Sequence, residues 1–457
     1  MDVRRFLAAS TGMLGLVTAA AVAVAPAANS GASAAIPATA PTSAPAAAPA
    51  AVAGAVCLDR EDAVLTVEEQ RLESPLVPGG EPVAAQFLRG SGFDQPVAEF
   101  EAGLCGIASL DDAAHYVREG GADLWRRAVD RAQGRTKAGT VDRYDDRPLY
   151  WSRLRMTRAL RQWQPDFEVT GTSRGALLRM LDYASRGIDS VEFPSERGTT
   201  RVLVSGFDTF RLDLDLRNAN PSGASALQLD GRRVQTAGGM VVVQAVMLPV
   251  NWTDFDQGVV EDAFGPSLEP GGGRADLIMT ISQGARGVME VEKWAGGFRG
   301  GSPDNNLNQL WGPVSRPAHW PQPYDSPQWI RTTLPYEEMI EAGTGPWPVS
   351  LDDNVCEWPA GTFPDPTKVR CRSDPSPGSS AAAGGGGDYL SNESMYRSNR
   401  LRLGIGAWNV PGGHLHISAL VYPEDKAQLT SPAFEADRRA TVDQTVALVE
   451  AAGRAAD

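Results

Sequence analysis

The stretch Arg201–Ser222, RVLVSGFDTFRLDLDLRNANPS, decides the fold of this chain. Its opening, Val202-Leu203-Val204-Ser205-Gly206, is an apolar, β-branched run halted by a glycine, the pattern of a buried strand. Open α/β sheets place ligands at the carboxyl ends of such strands, which puts Phe207 and Phe210 where a ligand would sit. On residue type alone both rings are more simply core plugs, because buried aromatics mostly pack.

Downstream the same grammar recurs. Apolar runs at Met240–Val250, Asp276–Ser282, Trp347–Leu351 and Leu415–Tyr422 are separated by segments long enough for crossover helices. That alternation predicts an α/β fold, a three-layer α/β/α arrangement around a mostly parallel twisted sheet. Phe434–Ala456 predicts a closing helix, with Val442, Val446 and Val449 along one side. Two stretches interrupt the pattern, at about 311–329 and 356–387, and are expected as insertions on the rim of an α/β domain spanning 200–457. The second runs into SPGSSAAAGGGGD and is expected to be mobile unless something binds it.

Upstream, residues 57–199 read as a helical region. Ala113–Arg135, Leu149–Trp163 and Gly175–Gly187 space Leu, Trp, Val and Met three to four apart, with arginine-rich outer faces. Trp125, Trp151 and Trp163 are expected to pack, and no chemistry is expected from this region.

The first 28 residues carry Arg4-Arg5, an apolar run and a small-residue exit, the pattern of a secretory signal; the arginine pair also suits twin-arginine export. An Ala/Pro-rich linker over 29–56 follows. Export implies an oxidising compartment, in which the four cysteines are expected as two disulfides, Cys57 with Cys105 and Cys356 with Cys371, by proximity. Three pairings are open to four cysteines. The net charge of −14, from 56 acids against 42 bases, with no basic run, argues against nucleic acid or an anionic membrane as a partner. No stable membrane insertion is expected after signal removal.

Three polar residues stand beside strands or sharp punctuation. Glu292, in GARGVMEVEKWAGG, follows a Gly-rich turn. Ser391, in GGDYLSNESMY, sits where a glycine loop meets a helix start, whose N-terminus favours a developing anion. His416, in GGHLHISALVYP, begins a strand, and His414 shares its face two residues away. Each has a plainer reading: a solvated carboxylate, a helix cap, and a histidine pair at metal-ligand spacing that no third His or Cys accompanies. Together they have the composition of an acyl-transfer site, a nucleophile activated by a histidine that a carboxylate orients.

The blocks GFDTF and NPS (Gly206–Phe210, Asn220–Ser222), SQGARGVMEVEKWA (Ser282–Ala295), SPDNN (Ser302–Asn306), DYLSNESMY (Asp388–Tyr396) and HLHIS (His414–Ser418), in this order, resemble the pyroglutamyl peptidase I family, also called pyrrolidone-carboxylate peptidases. The resemblance spans about 201–425 and implies cofactor-free removal of an N-terminal pyroglutamyl group from peptides. It implies that Phe207 and Phe210 enclose the pyrrolidone ring and that Glu292, Ser391 and His416 are catalytic. Ser391 departs from the family, whose nucleophile is cysteine; Cys356 is the alternative, but lacks the flanking tyrosine and asparagine. Lys293 stands in place of an arginine, Thr209 and Ser418 in place of prolines, and Gly301 where an arginine precedes the PDN block. A site tuned for a thiolate is slow with a hydroxyl unless the base is well oriented, which a glutamate-held histidine provides. The expected partner is a peptide or small acyl-amide. Two other functions fit the departures: a non-catalytic lactam-binding protein, and a cell-envelope esterase or amidase of different acyl specificity.

Overall fold

A computed structural model describes residues 57–61, 63–137 and 139–456. The expected signal segment and linker, 1–56, lie outside the described residues. The run Val202–Gly206 forms the middle of strand β1 (Thr199–Phe207), and six further strands complete the sheet: β2 (Arg233–Gln235), β3 (Met240–Leu248), β4 (Leu277–Gln283), β5 (Met289–Glu292), β6 (Val349–Asp352) and β7 (Gly412–Ile417). Their order is β6-β5-β7-β4-β1-β3-β2. The central strands β3, β1, β4 and β7 run parallel, β5 and β6 are parallel to each other, and β5 meets β7 antiparallel. The fold is the expected α/β class with a mostly parallel sheet and a helical N-terminal region.

Alternation along each strand divides the core. On one face Val204, Val243, Met279, Ile281, Val291, Leu415 and Ile417 pack against Val442, Val446 and Val449 of the closing helix, each burial contributing about 1.5–3 kcal/mol. The other face is apolar beneath β1 and β3, where Leu203, Phe207, Val246 and Ile278 are buried. Toward β7 and β5 it turns polar. Residues of the same parity are Thr280 and Ser282 on β4, His414 and His416 on β7, and Glu290 and Glu292 on β5, with His416 opposite both Ser282 and Glu290.

The helices of the N-terminal region include α1 (Leu110–Ala132), α2 (Arg147–Gln162) and α3 (Gly171–Ser185); α4 (Pro221–Leu229) belongs to the sheet. Trp125, Trp151 and Trp163 are buried as expected. Both expected disulfides are present, Cys57–Cys105 and Cys356–Cys371. They indicate an oxidising environment. No helix among the described residues is long and apolar enough to cross a membrane.

The helical region also reaches the opening stretch, a role not visible in its sequence. Asp208 is buried and accepts hydrogen bonds from Arg153 Nη1 at 2.8 and 2.9 Å and from Arg186 Nη1 at 2.6 Å. Burial would raise this carboxyl, but the two guanidiniums hold it below the usual range. Asn220 caps α4, donates to Asp208 O at 2.8 Å, and donates its own N–H to Asp146 Oδ2 at 3.0 Å. Gly206 is required here, since a Cβ would lie 2.2 Å from Ser222 O. The GFDTF and NPS blocks therefore lock the β1 terminus to the start of α4.

Asp146 yields a pH prediction. Burial and the neighbouring Asp145 carboxylate push it up to about 7 from 3.8. The folded chain thus retains a proton that the unfolded chain releases near pH 4. Its contribution is complete below that pH and lost as pH rises through about 7, at no more than roughly 1.4 kcal/mol per pH unit. In denaturation series from pH 5 to 8, Asp146→Asn should lose less stability with rising pH than the wild type; parallel curves would refute the assignment.

Candidate active site

Helix α5 (Val259–Leu268) packs on β3 and on helix α6 (Leu390–Ile405), and α6 covers the polar part of the face at β4 and β7. Ser391 occupies the first turn of α6, after Tyr389 at the N-cap position. First-turn amides have no intrahelical acceptor, and no described residue accepts from the N–H of Ser391 or Asn392. These two donors are part of the partial positive charge at the helix start. The nearby Gly284 N–H, by contrast, is already used, since it donates to Ile417 O at 2.8 Å.

His416 Nδ1 lies 2.5 Å from Glu292 Oε1. The contact arises from register: Glu292 stands opposite His414 on β5, so its side chain reaches diagonally to His416 on the same face. Glu292 is 1 % exposed. Burial pushes its carboxyl up, and the His416 imidazole draws it back, while Asp352 and Glu290 add to the rise. With Nδ1 held by the carboxylate, Nε2 is the remaining ring nitrogen, and it has no hydrogen-bond partner among the described residues.

The imidazole is clasped between glycines. A Cβ at Gly284 would lie 2.8 Å from His416 Cβ, and one at Gly386 would lie 3.4 Å from His416 Cε1 and 3.1 Å from Asn392 N. His416 and the start of α6 therefore border the same narrow gap. Gly385 is tighter still, since its Cβ would lie 1.9 Å from Glu292 Oε2. The glycine tract expected to be mobile instead forms a wall of this site. It is tied down by Gly385 N–H to Trp294 O at 2.9 Å and by the preceding strand, Ser380–Ala383, which pairs with Asn354–Trp358.

Asn392 explains the asparagine beside Ser391. Its amide donates to Gly296 O and accepts from Gly296 N–H, both at 2.8 Å, stapling α6 to the segment that leaves Glu292. Lys293 pairs with Asp374 at 2.6 Å on the rim. Cys356, the alternative nucleophile, is disulfide-bonded to Cys371, and no described cysteine is free.

Ser391 itself does not hydrogen-bond to His416. Its hydroxyl accepts from Ser282 Oγ at 2.9 Å, and Ser282 Oγ is 2.8 Å from Nε2 of the buried His414. The sequence identified His414 only as a neighbour of His416, and the rings stand edge to face with centroids 4.7 Å apart. Both His414 nitrogens are engaged, Nε2 with Ser282 Oγ and Nδ1 with Thr280 Oγ1 at 2.7 Å, so His414 has no ring nitrogen left for another ligand. Among the described residues no cluster of three or more ligating side chains suits a metal ion. The signal for Ser282 was available in the sequence: Thr280 and Ser282 alternate within an otherwise apolar strand.

Phe207 is 3 % exposed and stacks on Phe255, at 6.2 Å between centroids, inside the core. Phe210 is half-buried just beyond the strand and packs against the same cluster. A separate cavity of about 290 Å³ lies where the helical region meets the sheet, lined in part by Glu68, Tyr150, Arg153, Asp208 and Asp254, and includes neither Ser391 nor His416.

Residues 46–182 match the family model of the PA0049 N-terminal domain, and residues 201–321 and 351–421 match that of the PA0049 C-terminal domain. PA0049 of Pseudomonas aeruginosa, itself an uncharacterized protein, is 33 % identical over 506 residues, covering 87 % of this chain and 91 % of its own. Among solved structures, the crystal structure of Bacillus amyloliquefaciens pyroglutamyl peptidase I aligns at a TM-score of 0.37 and 18 % identity, covering 56 % of this chain and 98 % of its own. Matched through both of its regions, the chain belongs to the PA0049 family.

Proposed function

We propose that the chain is an exported serine-type hydrolase that removes an N-terminal pyroglutamyl group, or a closely related small lactam-bearing acyl group, from peptides. The observation that carries this reading is the His416–Glu292 pair at 2.5 Å beside the helix start that bears Ser391. In the proposed reaction Ser391 Oγ bonds to the acyl carbon as its proton passes to His416 Nε2. The carbonyl oxygen takes up negative charge against the Ser391 and Asn392 N–H groups. The C–N bond then breaks, and the leaving nitrogen takes the proton from His416. Water, activated by the same imidazole, releases the acyl group from Ser391. Glu292 holds the ring and balances its charge.

Phe210 is the proposed wall for the lactam ring, with the deeply seated Phe207 behind it. No cofactor enters these steps. The two disulfides suit an exported chain, for which a serine also avoids the oxidation open to a thiol.

The test is to measure turnover of pyroglutamyl, prolyl and glutaminyl aryl amides and of a simple aryl ester by the purified chain. Preference for the pyroglutamyl amide supports the proposal. Ester cleavage without that preference would make it an esterase, and binding without turnover a lactam-binding protein.

A further inference from the structure

The hydroxyl of Ser282 donates to Ser391 Oγ at 2.9 Å. A serine has one proton to give, so its 2.8 Å contact with His414 Nε2 is made with Ser282 as acceptor. Nε2 therefore carries the proton of a neutral imidazole, and Nδ1 accepts. The Thr280 hydroxyl lies 2.7 Å from Nδ1 and 3.4 Å from Gly413 O, and its proton goes to the nearer acceptor, Nδ1. Every bond from Thr280 to His414 to Ser282 to Ser391 points the same way and ends on the oxygen read above as the nucleophile. Burial, reinforced by the nearby His416, pushes His414 well below its ordinary value, in keeping with the neutral tautomer. Thr280, Ser282 and His414 are all nearly inaccessible to solvent, so the string up to its last donor is shielded from water and only Ser391 is partly open.

We propose that Ser282 is a further catalytic residue, with His414 and Thr280 as its positioning residues, and that this donor string allows a serine to serve as nucleophile here. The inference rests on reading Ser391 as that nucleophile. Ser282 occupies a lone pair of Ser391 Oγ, which leaves the Ser391 proton free for His416. It also donates to the negative charge that grows on Oγ as the proton departs. An alkoxide depends on such donors, and aligned hydrogen bonds in a dry interior polarise one another. A thiolate forms readily without them.

The experiment measures two rates on the full chain: covalent labelling of Ser391 by a fluorophosphonate, read by peptide mass spectrometry, and pyroglutamyl aryl-amide hydrolysis. Ser282→Ala should slow both by about 10²-fold, and His414→Phe should slow both in the same direction. Ser282→Thr retains the donor and should restore labelling to within about threefold of wild type. In a Ser391→Cys background, alkylation by iodoacetamide should change less than about threefold on adding Ser282→Ala.

Wild-type labelling in Ser282→Ala would overturn the proposal, as would an equal loss in the cysteine background, which would mark a packing effect. Ser282-dependent labelling without pyroglutamyl hydrolysis would retain the string and discard the substrate reading. Hydrolysis and labelling indifferent to Ser282 would do the reverse. A wild-type protein neither labelled nor active overturns both.

Discussion

Ser391→Ala is expected to lower kcat/KM for a pyroglutamyl aryl amide by about 10⁴- to 10⁶-fold, the range found when a hydroxyl nucleophile is removed from a serine–histidine site. The melting temperature should fall by no more than a few degrees, because the hydroxyl accepts one hydrogen bond, from Ser282, and Ser391 is partly exposed between the buried Leu390 and Asn392. Glu292→Gln is expected to cost about 10³-fold, since an amide donates toward Nδ1 and favours the wrong tautomer. A Ser391→Ala protein that retains turnover would remove Ser391 from the reaction.

The largest effect on stability is expected at Arg397. This residue, fully buried in α6, donates from Nε to Glu393 at 2.7 Å, from Nη1 to Glu261 at 3.0 Å, and from Nη2 to Ser315 at 2.6 Å. Glu393 also accepts from Arg299 at 2.5 Å, and Glu261 also pairs with Arg400. Desolvating so many charges is costly, and the network persists because each charge has partners. Arg397→Ala removes three donors and leaves two buried carboxylates short of charge. The expected loss is about 3–5 kcal/mol, a drop of roughly 4–6 °C in melting temperature for a unit of this size. Arg397→Lys, with a single compact cation, should fall between alanine and wild type. Glu393 lies two residues beyond Ser391, so partial unfolding should first expose the α6 start. Hydrogen exchange in the variant should show faster exchange at 390–397 than at β1. A melting temperature unchanged in Arg397→Ala would contradict the network's structural role.

What could be read from the sequence follows the range of the interactions. The strands were legible because period and composition are local: Val202–Gly206 and Asp276–Ser282 announce themselves within seven residues. Ser391 at a helix start and His416 on a strand after Pro-Gly-Gly were legible for the same reason. The string through Ser282 and His414 was not, because it depends on the register of β4 against β7 across more than a hundred residues. Nor was the role of Arg153 and Arg186 on Asp208, since arginines on amphipathic helices normally face water. The glycine tract misled most. Four consecutive glycines suggest a mobile loop, yet Glu292 leaves no room for a Cβ at Gly385, and the Asn392 backbone leaves little at Gly386. Phe207 was assigned to the ligand by resemblance, whereas its ring is stacked in the core and only Phe210 is partly open.

The most direct test of the proposed mechanism is to trap the acyl-enzyme. The full chain is mixed with an aryl ester of pyroglutamate, quenched in acid within the first turnover, and digested for peptide mass spectrometry. The mechanism predicts a pyroglutamyl adduct on Ser391 that is absent from the Ser391→Ala protein and forms far more slowly in His416→Ala, because the same imidazole takes the Ser391 proton during acylation. An adduct on another residue, or ester turnover with no adduct on Ser391, would contradict it.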